Sequence, residues 1–259
     1  MSMKRCTSAF VTAIFVLAMP LALPAQDPKK PAAKNLPKVI VVLPLAAAPG
    51  TSSKLIVRGL FLEDAKDVRF ADPKITAKIV SKGKAGVPDK NPDKVGDTQI
   101  VIEVALPADL SAAAVDFSVI NGSGESKPHK LIVEGKVPVV AEKEPNDGFQ
   151  QAQPIKIPQI VTGIIDRAAD VDVFRFEGKK GQKIAAEVIA ARFGSALDAI
   201  LTLYDAKGQQ VASNNSGAEG GDARLEVTLP AEGAYYLTLI DAHDSGGPTH
   251  VYRLHVTSR

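Results

Sequence analysis

The chain has 259 residues, long enough for one large or two ordinary domains. Its 31 basic and 29 acidic residues leave a formal charge of +2, too small to drive binding to nucleic acid or an anionic membrane. A single cysteine, Cys6, excludes a disulfide within the chain.

In chain order, Lys4 and Arg5 form a basic start, Phe10 to Leu23 an apolar run broken by Pro20, and "LPAQ" a cleavage point after Ala25. This order predicts a secretory signal peptide over residues 1–25, too short for a comfortable membrane span. A retained N-terminal anchor is the competing reading. Cys6 precedes the apolar run, so it is badly placed for lipid attachment at the cleavage point. Loss of Lys4 and Arg5 would leave 29 basic against 29 acidic residues and no cysteine. No second apolar run is long enough to span a bilayer, and nothing at the C-terminus resembles an anchor. A secreted, periplasmic or cell-surface protein is expected, with no membrane insertion of the mature chain.

Residues 26–37, rich in Pro, Lys and Ala, read as a linker. From 38 to 135 come short β-branched runs: "KVIVVL", "KLIVRGL", "DVRF", "ITAKIV", "TQIVIEVAL", "VDFSVI" and "HKLIVEG". Gly, Pro, Asp and Asn separate them. Ile100, Ile102 and Val104 share one face of a strand, which predicts an antiparallel sandwich. Residues 136–141 interrupt the pattern with a proline and are read as a second linker. From 142 to 259 the rhythm returns in "IVTGII", "VFRFE", "QKIAAEVIA", "LDAILTLYD", "QQVASN", "ARLEVTLP", "AYYLTLID" and "HVYRLHVT". About eight strands predict a jelly-roll-like double sheet. The fold class expected is all-β, with two β-sandwich domains in series.

The second half opens on "EKEPNDGFQQA". Pro145 biases Glu144 toward an extended conformation, which puts Glu142, Glu144 and Asn146 on one side. Asn-Asp-Gly is turn chemistry, so Asp147 can swing toward them. Calcium takes roughly 6–8 oxygen ligands, so a second segment must contribute. "DVDVF" is the candidate: Asp170 and Asp172 share parity with Phe174 and Phe176, which should face the core. A carboxylate facing inward needs a partner. From the residues alone, a solvated acidic linker or a pairing of Asp172 with Arg175 or Arg192 remains open.

Residues 142–257 resemble the bacterial pre-peptidase C-terminal domain, a secreted β-sandwich often appended to extracellular peptidases. The carriers are "EPND", "TGIID", "DVDVFRFEGKKGQ", "ARFGSALDAILTLYDAKGQQVASN", "DARLEVTLPAEGAYYLTLID" and "YRLHV", in that order. Family members often carry an acidic residue after "ASN", where this chain has neutral Asn214 and Asn215. In several collagenases the related domain binds calcium through an E-x-E-x-N-D stretch and nearby aspartates. The resemblance therefore implies Ca2+ ligands at Glu142, Glu144, Asn146, Asp147, Asp170 and Asp172. The first half resembles, more loosely, an immunoglobulin-like domain of the IPT/TIG type, on "PGTSSKLIVRGLFL", "DVRF" and "VDFSVINGSGESKPHKLIVE".

Catalytic motifs are not evident: the chain has no H-E-x-x-H and no G-x-S-x-G. His250 and His255 flank "VYRL" on opposite faces, which reads as an exposed or edge strand rather than a zinc site. His243–Asp244 with Ser195 or Ser245 could make a triad, but a turn is the simpler reading. Tyr235 and Tyr236 are adjacent, so one should point outward; with Tyr204 and Tyr252 they read as strand packing. The expected function is a non-catalytic exported binding module that attaches to an extracellular protein or matrix polymer. The alternative is an accessory, processing or targeting partner of a secreted peptidase.

Overall fold

The computed structural model describes residues 35–87, 91–215 and 221–258. The expected signal peptide and most of the 26–37 linker lie outside them. The strands are β1 (Lys38–Leu43), β2 (Ala46–Ala47), β3 (Ser52–Leu60), β4 (Asp67–Phe70), β5 (Thr76–Lys84), β6 (Thr98–Ala105), β7 (Ala114–Asn121), β8 (Gly124–Glu125), β9 (His129–Val133) and β10 (Val139–Ala141). They continue as β11 (Gln153–Pro154), β12 (Gln159–Ile164), β13 (Asp172–Gly178), β14 (Lys183–Ile189), β15 (Ala199–Asp205), β16 (Gln210–Asn215), β17 (Arg224–Thr228), β18 (Gly233–Asp241) and β19 (Val251–Ser258). The architecture is all-β, as the sequence predicts.

The first half packs the sheet β1-β3-β6-β5 against β2-β9-β7-β4, with β8 beside β7. Period-2 patterning explains the core. Ile100, Ile102 and Val104 of β6 are fully buried against Phe117, Val119 and Leu131. Each such side chain contributes about 1.5–3 kcal/mol by leaving water. A single helical turn, α1 (Pro92–Val95), precedes β6. Buried Arg58 anchors it, donating from Nε to Val95 O at 2.7 Å.

The second half packs β10-β12-β19-β14-β17 against β11-β13-β18-β15-β16. Phe174, Leu201 and Leu237 from one sheet meet Val161, Val188 and Leu254 from the other. The Ala-rich "KIAAEVIA" is a strand, β14, paired on both sides. β19 lies between β12 and β14, so "HVYRLHV" is an interior strand rather than an edge. The 136–141 linker is also shorter than expected. Val139–Ala141 pair in parallel with β12, so the second sheet starts inside it. Three residues between a proline and a charge cluster carry too little periodicity to announce an edge strand.

The halves are packed together. Val41, Leu45, Ala46 and Ile132 form a small core that takes in Ile189, Phe193 and Val251 from the second half. Gly194 sits at φ +85°, where a Cβ would stand 1.7 Å from the Ile40 carbonyl oxygen. Glycine lets the second half's backbone close onto the first. Buried Arg253 reaches across to Glu134, with both bidentate distances at 2.7 Å.

Candidate metal centre

One end of the second sandwich gathers five carboxylates. Strand β10 carries the chain into Glu142, whose backbone N–H donates to Thr162 O at 2.9 Å. The following segment is tied to β13 by Val173 N donating to Asn146 O at 3.1 Å. Asp170 and Asp172 lead into and begin β13. Since Phe174 and Phe176 face the core, parity turns both aspartates inward, and both are buried. The six residues implied at sequence level thus come together.

They form two overlapping groups, each with its carboxylate oxygens within 4.8 Å of one another: Glu142, Glu144 and Asp172, and then Glu144, Asp147 and Asp170. Several contacts fix them. Glu142 accepts from Ile164 N at 2.9 Å and from Asn146 Nδ2 at 3.1 Å. Glu144 accepts from Asn146 N at 3.1 Å, and Asp170 Oδ2 from Asp166 N at 2.8 Å. With its amide nitrogen engaged, Asn146 keeps its side-chain oxygen free.

That oxygen is buried and has no hydrogen-bond partner among the described residues. Neither oxygen of Asp172 meets an aligned donor, and nor does the Tyr252 hydroxyl. Such orphans are rare, because burying a polar group unpaired costs a few kcal/mol. Asp172 is pushed up to about 10, first by burial, then by Glu142; the neighbouring Tyr252 hydroxyl opposes this. Burial also raises Glu144 and Asp170, and pushes the Tyr252 phenol well up, with Asp172 and Glu142 adding to it. The protein alone therefore disfavours the charged state of its own carboxylates.

Gly163 makes room for this arrangement. It pairs with Tyr252 across β12 and β19. A Cβ at Gly163 would lie 2.3 Å from the Tyr252 oxygen and 2.4 Å from Glu142 Oε2. Oxygen donors, buried orphans and negative charge fit a hard divalent cation such as calcium. Asp147 departs from the single shell the sequence implies: it accepts from Arg167 Nη2 at 2.8 Å. Arg175 and Arg192, the alternative partners of Asp172, pair instead with Glu177 and with Glu187 and Asp222. Gly163 and Arg167 are not site candidates in the sequence, and Tyr252 reads there only as strand packing. A glycine inside a strand pattern was the available signal for one of them.

The remaining candidates have structural roles. Ser195 is buried, donates to Thr249 O at 3.0 Å and accepts from Leu197 N at 3.2 Å. His243 lies 3.6 Å from Asp198, in a turn where Asp241 accepts from the His243 and Ser245 amides. Tyr235 points inward, stacks on Phe176 and donates to Ala231 O at 2.8 Å. Tyr236 points outward, where exposed Phe149 stacks on it at 4.5 Å and leans toward Tyr204 at 5.4 Å.

Residues 170–240 match the family model of the bacterial pre-peptidase C-terminal domain. The chain is 38% identical over 112 residues to a probable subtilase-type serine protease of Deinococcus radiodurans, a match over 41% of this chain and 15% of the relative's length. The pre-peptidase C-terminal domain of collagenase from Bacillus anthracis is 17% identical, covering 48% of this chain and 100% of its own, with a TM-score of 0.34. A periplasmic inhibitor of g-type lysozyme from Aeromonas hydrophila has the same coverage and TM-score at 14% identity. The second sandwich carries a bacterial pre-peptidase C-terminal domain.

Proposed function

We propose that the chain is an exported, non-catalytic binding module whose second sandwich is stiffened by calcium and which attaches to an extracellular protein or matrix polymer. The observation that carries the calcium reading is the buried pair of Asn146 Oδ1, which has no hydrogen-bond partner among the described residues, and Asp172, fully buried among other oxygen groups with no ion pair among them. Glu142, Glu144, Asp172 and Asn146 Oδ1 would hold the ion. Calcium would supply the positive charge these groups lack and would tie the 142–147 segment to β12 and β13. The module's role as a platform is supported by the pre-peptidase C-terminal domain itself, a non-catalytic unit.

The kinship to a subtilase-type protease supports a second reading, an accessory partner of a secreted peptidase. A pull-down from culture medium, with calcium and with chelator, separates the two. Recovery of a matrix polymer or a non-peptidase protein in calcium supports the first reading, and recovery of a peptidase the second. Hydrolysis of casein or gelatin by the purified chain would contradict both. Intact-mass analysis of the exported protein tests export by signal peptide. A start near Gln26 is expected, and retention of Met1 would contradict it.

A further inference from the structure

The two carboxylate groups differ in what they lack. Among the described residues, inner Glu142, Glu144 and Asp172 form no ion pair: the charges acting on Asp172 come from Glu142 and Asp170, and those on Glu144 from Glu142, Asp170 and Asp147. Outer Glu144, Asp147 and Asp170 already have one. Arg167 Nη2 stands 2.8 Å from Asp147 Oδ1 and 3.1 Å from Asp170 Oδ1, and its Nη1 stands 3.0 Å from Asp166.

Resting on the calcium reading above, we propose that the Arg167 guanidinium is a built-in cation in the outer position and limits the centre to a single calcium ion. Calcium bonds oxygen at about 2.3–2.6 Å, so an ion shared by Asp147 Oδ1 and Asp170 Oδ1 would fall where Nη2 stands. Asp170 has one oxygen to offer in the outer position, Oδ1, because Oδ2 takes the Asp166 amide. Its Oδ1 is buried and accepts no aligned hydrogen bond, so its contact with Arg167 is ionic alone. An ion could therefore replace the guanidinium there without leaving a donor unpaired on Asp170.

The arginine is also held in place through its backbone. Ala169 N donates to Asp244 O at 3.0 Å, Ile165 N to His250 O at 3.1 Å, and Gly247 N to Ile165 O at 2.8 Å. Gly246 packs so closely on the loop that a Cβ would stand 1.9 Å from the Arg167 carbonyl oxygen. A planar, permanently charged fork that spans two carboxylates suits this role better than lysine's point charge.

The test is calcium titration of the full chain by isothermal calorimetry, in wild type, Arg167→Gln and Arg175→Gln. Arg175 is an exposed arginine paired with Glu177 and serves as the control for net charge. Wild type and Arg175→Gln should each take up about one ion per chain, and Arg167→Gln about two. One ion in all three proteins, or two in wild type, would overturn the role of Arg167 while leaving the calcium reading intact. Two ions in both variants would reduce the effect to net charge and likewise overturn it. No binding to wild type would refute the calcium reading, and this inference with it.

Discussion

Tyr252 and Arg253 are neighbours on β19 and point to opposite faces of its sheet. Arg253, on the outer face, is 2% exposed and meets Glu134 of the first half at 2.7 Å, bidentate. Tyr252, on the inner face, is 1% exposed and turns its hydroxyl toward the carboxyl groups of Asp172 and Glu142. One buried charge is answered within the chain. The other is a crowd of acidic groups with no ion pair to the inner three among the described residues, and burial holds Asp172 in its protonated form. A buried ion pair is a poor source of net stability but costly to break, whereas a buried carboxylate cluster is a cost that only protons or a cation can remove.

Breaking the answered charge should have the larger effect. Glu134→Ala leaves Arg253 buried and unpaired and should destabilise the chain by about 3–5 kcal/mol in urea unfolding. The loss should be the same in calcium and in chelator. A loss below about 1 kcal/mol would show that water reaches Arg253 at the junction.

Asp172→Asn should do the reverse at the unanswered site. It removes the need to take up a proton on folding without changing shape, so the melting temperature in chelator should rise. It should also abolish the calcium response, about 2.7 kcal/mol for wild type at a hundredfold excess over Kd. A retained response would move the ion off Asp172.

The pH dependence sharpens the contrast. The folded-state pKa of Asp172, about 10, lies above its unfolded value, and Glu144 and Asp170 shift the same way. Their contribution is fully present below the unfolded pKa and is lost as pH rises toward the folded one. In chelator, the proton held by Asp172 should make stability fall by up to about 1.4 kcal/mol per pH unit across pH 5 to 8. In saturating calcium the ion replaces the proton and this slope should vanish. A slope of the same size in both buffers would place the titration elsewhere. At the small end, Arg69→Ala breaks an exposed pair with Glu125 and should change stability by about 0–1 kcal/mol, less in high salt.

Much of this was legible because period-2 alternation is local. Parity along "DVDVF" was enough to turn Asp170 and Asp172 inward, and the crowding of Glu142, Glu144 and Asn146 was visible before any partner was known. What the sequence hides is which strands become neighbours. Gly163 and Tyr252 lie 89 positions apart and meet only because β12 pairs with β19. Arg167 looks like any loop arginine until the turn after β12 brings it over Asp147 and Asp170. The parallel pairing of β10 was missed for a related reason. Three residues give no period, and their place in the sheet is set by the strand they join.

The most direct test is a pair of thermal melts of the wild-type chain, one in millimolar calcium and one in chelator, at neutral pH. If the ion completes the cluster around Asp172, the melting temperature should rise in calcium by several degrees, as a gain of about 2.7 kcal/mol requires. Superimposable melts would mean that the buried carboxylates are kept neutral by protons alone and that "EKEPND" is an acidic linker folded against the sheet edge.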